Sequence, residues 1–167
     1  MANTTKSTSA AETKPMAAKD IDVNQMIVVR NGFQGKLIYI SARTGEKFVW
    51  DEFGSEQDIE LRELRNAKSA HKGFFENNWF MFDDDYAWVI DYLGVGKFYE
   101  NCIKLDEFDD LFKKTPAQIK ATISKLSEGQ KKSVSYRARQ LITSGDIDSH
   151  KAILALEEAL GVELIER

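Results

Sequence analysis

The stretch VNQMIVVRNGFQGKLIYISARTGEKFVW, residues 23–50, restricts the fold of this chain more than any other. It is rich in β-branched and aromatic side chains, which fit a pleated surface. It is broken at Asn31-Gly32, Gln34-Gly35 and Thr44-Gly45, where glycine can supply the positive φ of tight hairpins. The text predicts three antiparallel strands, at about 24–30, 35–42 and 46–51, forming a small meander. In the second, Leu37, Tyr39 and Ser41 share one face and Ile38, Ile40 and Ala42 the other; in the third, Phe48 and Trp50 share a face. So small a sheet is marginal in water, so something must cover it.

The following text, GSEQDIELRELRNAKSAHKG, switches to helical spacing. Ser55 suits an N-cap with acids in the first turn. Leu61, Leu64 and Lys68 recur along one side, near Ile59 and Ala67, and Gly73 suits a stop. A helix over 55–72 is expected to lie across the meander. Shorter helices follow, in YAWVIDYLGV ending at Gly94, in KFYENCIKL (Phe98, Cys102 and Leu105 on one side) and in LDEFDDLF. The last spaces Leu105, Phe108, Leu111 and Phe112 at i, i+3, i+6 and i+7.

Three helices with short joints are expected at the C-terminal end. Thr115 to Gln118 reads as a capping box with Pro116 at the first helical position. Ser127 to Gln130 reads as a second box, and Asp148 as the cap of a third helix. Their apolar sets are Ile119, Ile123 and Leu126; Val134, Ala138, Leu141 and Ile142; and Ile153, Leu154, Leu156 and Leu160. The expected class is α+β: a small antiparallel β-meander covered by a helix, followed by a mainly helical part. The expected divisions are a flexible N-terminal arm (1–20), an α+β domain with an aromatic junction (21–112) and a three-helix C-terminal unit (113–167). The arm carries two methionines as its only large apolar side chains, too few to offset its ordering entropy by burial.

Motifs that would carry chemistry fail on spacing. The histidines, His71 and His150, stand far in sequence from the single Cys102, so no zinc set is expected. The acids 83–85 and 106–110 lack EF-hand spacing and read as helix-opening charges. LGVGKF (93–98) lacks the earlier Gly and following Ser or Thr of a phosphate loop. No G-x-S-x-G occurs, and Cys102 reads as a small hydrophobe. The expectation is a non-enzymatic protein with no catalytic residue, metal or cofactor. No apolar run approaches a membrane span, and the N-terminus lacks the apolar core of a secretory signal. One cysteine permits no disulfide within the chain, which fits a reducing compartment.

Two features point to contacts with macromolecules. GFFENNWFMFDDDYAWVIDYLGV, residues 73–95, holds eight aromatic rings and five acids. A platform for stacking bases would interleave its rings with cations, so these rings read as the junction between sheet and helices. Trp79, Phe82, Tyr86 and Trp88 are candidate surface anchors, because exposed aromatics suit protein interfaces. Charge is also polarised. Residues 83–110 hold nine acids against two lysines, and residues 111–145 hold eight cations against Glu128. Lys132, Tyr136, Arg137 and Arg139 form a candidate basic face, suited to an acidic neighbour, which includes another copy's acidic stretch. The formal net charge of -4 disfavours binding to nucleic acid through the overall field.

GKLIYISARTGEKFVWDEFGSEQDIELRELRNAK, FFENNWFMF and LSEGQKKSVSYRARQLITSGDIDSHKAI resemble stretches of uncharacterised virion structural proteins of tailed bacteriophages infecting Gram-positive bacteria. The resemblance spans most of residues 24–165. It implies a head, connector, tail or baseplate accessory component, assembled in the host cytoplasm and partnered by other subunits or by itself. An arm suits such a component. A second reading is a small regulator contacting nucleic acid through Lys132, Arg137 and Arg139. A third is a regulator binding a host protein through LDEFDDLF, which requires that segment to be exposed.

Overall fold

The computed structural model describes residues 21–166; the arm expected over 1–20 lies outside them. The fold is α+β, as the change of periodicity predicts. Among the described residues there are five strands: β1 (Met26–Asn31), β2 (Leu37–Ile40), β3 (Lys47–Trp50), β4 (Glu56–Glu60) and, later, β5 (Phe80–Met81). Six helices are interleaved and follow: α1 (Leu61–Ala70), α2 (Gly73–Glu76), α3 (Ala87–Leu93), α4 (Pro116–Ile123), α5 (Glu128–Ser144) and α6 (His150–Leu160). Among the described residues three 3₁₀ segments, Asp84–Tyr86, Gly96–Phe98 and Leu105–Lys113, join them.

The strands are not one meander. β1 lies between β4 and β5, antiparallel to both, while β2 and β3 form a separate hairpin. The reason lies at Asn31. Its buried amide donates to the carbonyls of Gly35 (2.7 Å) and Glu52 (2.9 Å), and its Oδ1 accepts from the Phe33 N–H (2.7 Å). Asn31-Gly32 therefore ties two loops together instead of turning β1 onto β2. Gly32 is needed for closeness rather than for φ, since a Cβ there would lie 2.2 Å from the Asn78 carbonyl oxygen.

The helix expected over 55–72 is shorter. Residues 56–60 pair with β1, Ile59 opposite Ile27, because Gln57 and Ile59 alternate inward between exposed acids. Ser55 is no N-cap; its hydroxyl accepts from the Glu52 N–H. α1 starts at Leu61, ends at Ala70 and buries Leu61, Leu64 and Ala67, and Gly73 opens α2 rather than ending α1. α3 does end at Gly94, in the left-handed conformation.

No α-helix forms over residues 97–113. In Leu105–Lys113 the two buried residues are Phe108 and Leu111, three apart. With three residues per turn, a 3₁₀ helix stacks i, i+3 and i+6 in one row, so the Leu105–Phe108–Leu111 spacing satisfies it better than an α-helix. The Thr115 capping box with Pro116 forms as expected. At Ser127 only half a box forms: its hydroxyl accepts from the Gln130 N–H, while the Gln130 side chain goes elsewhere. α6 is capped by Ser149, not Asp148.

Two apolar clusters result. One gathers Ile27, Val29, Tyr39, Trp50, Ile59, Leu64, Phe75, Phe80, Val89 and Leu93 between the two sheets, α1 and α3. The other gathers Phe108, Leu111, Ile119, Ile123, Val134, Ala138, Ile153 and Leu156 among the C-terminal helices. Phe53, from the β3–β4 loop, crosses to the second cluster and packs its ring 5.0 Å from Phe108. Leu154, expected in the apolar set of α6, is exposed.

Candidate interaction surface

α5 is the element on which the two halves meet. Its inward face is small and polar. A Cβ on Gly129 would lie 2.3 Å from the Asn77 carbonyl oxygen, so only glycine lets the helix approach that loop. Ser133 donates to the Gly32 carbonyl (3.1 Å). The Gln130 amide spans the backbone of Ile103, accepting from its N–H and donating to its carbonyl, both at 2.9 Å. Asn78, at φ 56, turns the chain beneath this helix and donates to the Phe98 carbonyl. None of these polar contacts was picked out by motif. Their signal is present: Gly, Gln and Ser occupy inward positions of a long helix where Leu or Ile would be ordinary.

The outward face carries Lys132, Tyr136 and Arg139, spaced i, i+4 and i+7, and all three are exposed. Tyr136 is 45% exposed. Its ring stands edge-on to Phe33 (6.2 Å), and Phe33 in turn to Trp79 (6.3 Å). A surface tyrosine is thus held against a row of rings running into the first cluster. Arg139 donates to the Glu163 carbonyl (3.0 Å), fastening α5 to the C-terminal segment.

Arg137 sits apart from these. It forms a fork with Asp109, Nε to Oδ1 at 2.9 Å and Nη2 to Oδ2 at 2.7 Å, and also donates to Gln140. The hydrogen bonds from Arg137 hold the Asp109 carboxyl below its usual range. Part of the charge polarity read from the sequence is therefore closed within the molecule.

The proposed aromatic anchors are less accessible than expected. Trp79, Phe82, Tyr86 and Trp88 are half-buried and pack against the first cluster. Trp79 lies between Phe33 and Phe74, and its indole N–H is buried. Phe82 faces Tyr99, and Trp88 faces Tyr92. The rings of residues 73–95 close the core, as the lack of interleaved cations suggests.

Acids line the seam. An open cleft of about 340 Å³ is bordered by Asp83, Asp84, Asp85, Asp106 and Glu107, with Lys104 as the cation among its lining residues. A neighbouring cleft of about 480 Å³ shares Leu105 and Asp106 with it and adds Phe53, Asp109 and Arg137. Arg30 anchors this wall, donating to Asp83 (3.0 Å) and the Gly54 carbonyl (3.1 Å) and ion-pairing with Asp106 (3.6 Å). Its own burial lowers its pKa, but the carboxylates outweigh this and the guanidinium is raised overall. The LDEFDDLF segment turns Phe108 and Leu111 into the core and leaves its acids outward, which removes Phe108 as a contact for a host protein.

One buried carboxylate lies elsewhere. Glu63 accepts from the Tyr39 hydroxyl (2.6 Å) and the Ser41 hydroxyl (2.9 Å), with Arg43 at 3.6 Å. Burial, then Glu63, raises the Tyr39 phenol. Every oxygen in this group is matched, and it joins α1 to β2. Burial also raises the Cys102 thiol. Among the described residues no group of three or more His, Cys, Asp or Glu is placed to hold a metal, and no helix is long and apolar enough to cross a membrane.

Comparison with protein families, with curated proteins and with solved structures finds no match to this chain.

Proposed function

We propose that this chain is a non-enzymatic structural component of a multi-subunit assembly, in the first instance a tailed-phage particle put together in the host cytoplasm. One observation supports the reading most. After internal pairing, which takes up Asp84 with Lys104 and Asp106 with Arg30, opposite charges are still displayed on different elements: Asp85 and Glu107 along the open cleft, and Lys113, Lys114, Lys125 and Lys132 on the C-terminal unit, all exposed. Complementary patches of this kind direct and orient protein association, and a patch pair on one chain favours head-to-tail repetition. Tyr136, rigidly backed and flanked by Lys132 and Arg139, is the aromatic best presented to a partner.

Contact with nucleic acid through α5 is the weaker alternative. Of the three cations that reading names, Arg137 is forked to Asp109 and Arg139 bonds the Glu163 carbonyl, leaving Lys132 as the one without such a tie among them.

The test is to probe density-purified particles from the lysate in which the chain is made, using an antibody and quantitative mass spectrometry. A fixed copy number per particle supports the reading. Recovery in the free fraction alone overturns it. Removal of residues 1–20 is expected to leave the fold intact, by circular dichroism, while lowering incorporation; unchanged incorporation removes the arm from the mechanism.

A further inference from the structure

Among the described residues, nothing pairs with the hydrogen-bonding row on the outer edge of the β2–β3 hairpin. Leu37, Ile38, Tyr39 and Ile40 stand opposite Trp50, Val49, Phe48 and Lys47. In the same register, the Ser41 N–H donates to the Glu46 carbonyl at 2.8 Å. Hydrogen-bonded and non-bonded pairs alternate in an antiparallel ladder, so Tyr39 and Leu37 face β3 with their backbone groups. The N–H and C=O groups of Ile38 and Ile40 point to the other edge. Among the described residues no strand pairs there and no backbone hydrogen bond reaches them.

The side chains make this edge adhesive. Ile38 is 43% exposed and Ile40 is 53% exposed. Natural edge strands are usually blunted by charge, proline or a bulge. β4 follows that rule, with Glu56, Asp58 and Glu60 exposed. β2 has no charged residue and no proline between Leu37 and Ile40.

We propose that β2 is a self-pairing edge: two copies of this chain join β2 to β2 antiparallel, about a two-fold axis at Tyr39. This goes beyond the assembly reading and stands or falls separately from it. In that register Ile38 of one copy faces Ile40 of the other, twice over. Both N–H and both C=O groups of each copy are then used, and all four isoleucines meet on one face. The flanking charges fit. Lys36 falls opposite Ala42 and Arg43 opposite Gly35, so no like charges are set face to face, the arrangement that penalises wrong strand pairs. The result continues the hairpin into a four-stranded sheet across the two copies. The contact is well below the roughly 1,200–2,000 Å² of a stable complex. It therefore forms at high protein concentration, or where copies are already held close.

Two measurements on the full chain test this. Amide exchange at Ile38 and Ile40 is expected to slow several-fold as protein concentration rises from about 10 μM to about 1 mM, a range suited to a small interface. The double variant Ile38→Lys/Ile40→Lys, folded by circular dichroism, is expected to lose that dependence. In a Cys102→Ser background, Ile38→Cys and Ile40→Cys are then oxidised separately and mixed. Hydrogen-bonded partners lie about 5.5 Å apart between Cα atoms, within disulfide reach, whereas identical residues sit diagonally at roughly 7–8 Å. The mixture is expected to cross-link several-fold more than either variant alone. Equal or absent cross-linking overturns the proposal, as does exchange independent of concentration. Protection that is independent of concentration but lost when residues 1–20 are removed also overturns it, and assigns the edge to the chain's own N-terminus.

Discussion

Gly129 shows how one hydrogen atom in place of a methyl decides the joint between the halves. Alanine is the better helix former by about 1 kcal/mol, yet its Cβ would meet backbone at 2.3 Å, and overpacking costs about 1–3 kcal/mol or more when backbone must move. Gly129→Ala is expected to lower stability by about 1–2 kcal/mol net; a rise in chemical-denaturation midpoint would show that the loop at Asn77 yields. The Arg137–Asp109 fork gives a second expectation. Asp109 is depressed in the folded state by its hydrogen bonds to Arg137. The stabilisation it carries is complete above the unfolded carboxylate value of about 4 and is lost as pH falls through the lower native value. The pair is partly exposed, so Arg137→Ala should cost about 1 kcal/mol at most at pH 7, and the gap from wild type should shrink by pH 2–3. A gap that widens on acidification contradicts this. At this scale the sequence was legible where a side chain acts on its own neighbours, as with Thr115 and Pro116. It was opaque where the partner is remote, as with Asn31, Gly129 and Gln130, whose farthest contacts lie 21 to 52 positions away.

Local propensity fails in an instructive way at β4. DIELRELRNAK reads as helix throughout, but the first residues surrender to β1, because Ile59 opposite Ile27 completes a buried face. At β2 the alternation and the pairing with β3 were read correctly, while the expected pairing with β1 does not form: faces follow from period, whereas the neighbour across the first loop follows from its chemistry at Asn31. LDEFDDLF was assigned the right apolar residues and the wrong helix, since an i+3 row is common to both periods until i+6 decides. Among the helices, α5 depends most on a contact outside itself. Gln130 abandons its half of the capping box to span Ile103. Gln130→Ala strands a donor and an acceptor there and is expected to cost about 2 kcal/mol, whereas Gln118→Ala, which ends a local box at an exposed site, should cost well under half of that by the same urea titration. Similar losses in both would show that Gln130 acts only as a cap.

The molecule holds two apolar clusters, yet its joint is made of hydrogen bonds, an ion pair and close backbone contact. All three tryptophans, Trp50, Trp79 and Trp88, belong to the first cluster, while α4, α5 and α6 carry most of the helical signal. Fluorescence and far-ultraviolet dichroism thus report different halves. With Ser133 on Gly32, Tyr136 on Phe33 and Arg30 beside Asp106, each reaching from one half to the other, the two unfolding curves are expected to coincide, as for a two-state unit; the triple alanine variant Arg30→Ala/Ser133→Ala/Tyr136→Ala should separate them. Coincidence in that variant would mean that Phe53 on Phe108 suffices to couple the halves. The passage between clusters runs through Leu105–Lys113, where the rise per residue is about 2.0 Å instead of about 1.5 Å. Nine residues there reach about 18 Å, some 4–5 Å farther than the same residues coiled as α. Inserting or deleting one would turn everything downstream by about 120° and swing Phe108 and Leu111 off their row. This part of the gene can tolerate changes of letter among its outward acids, but its length is frozen.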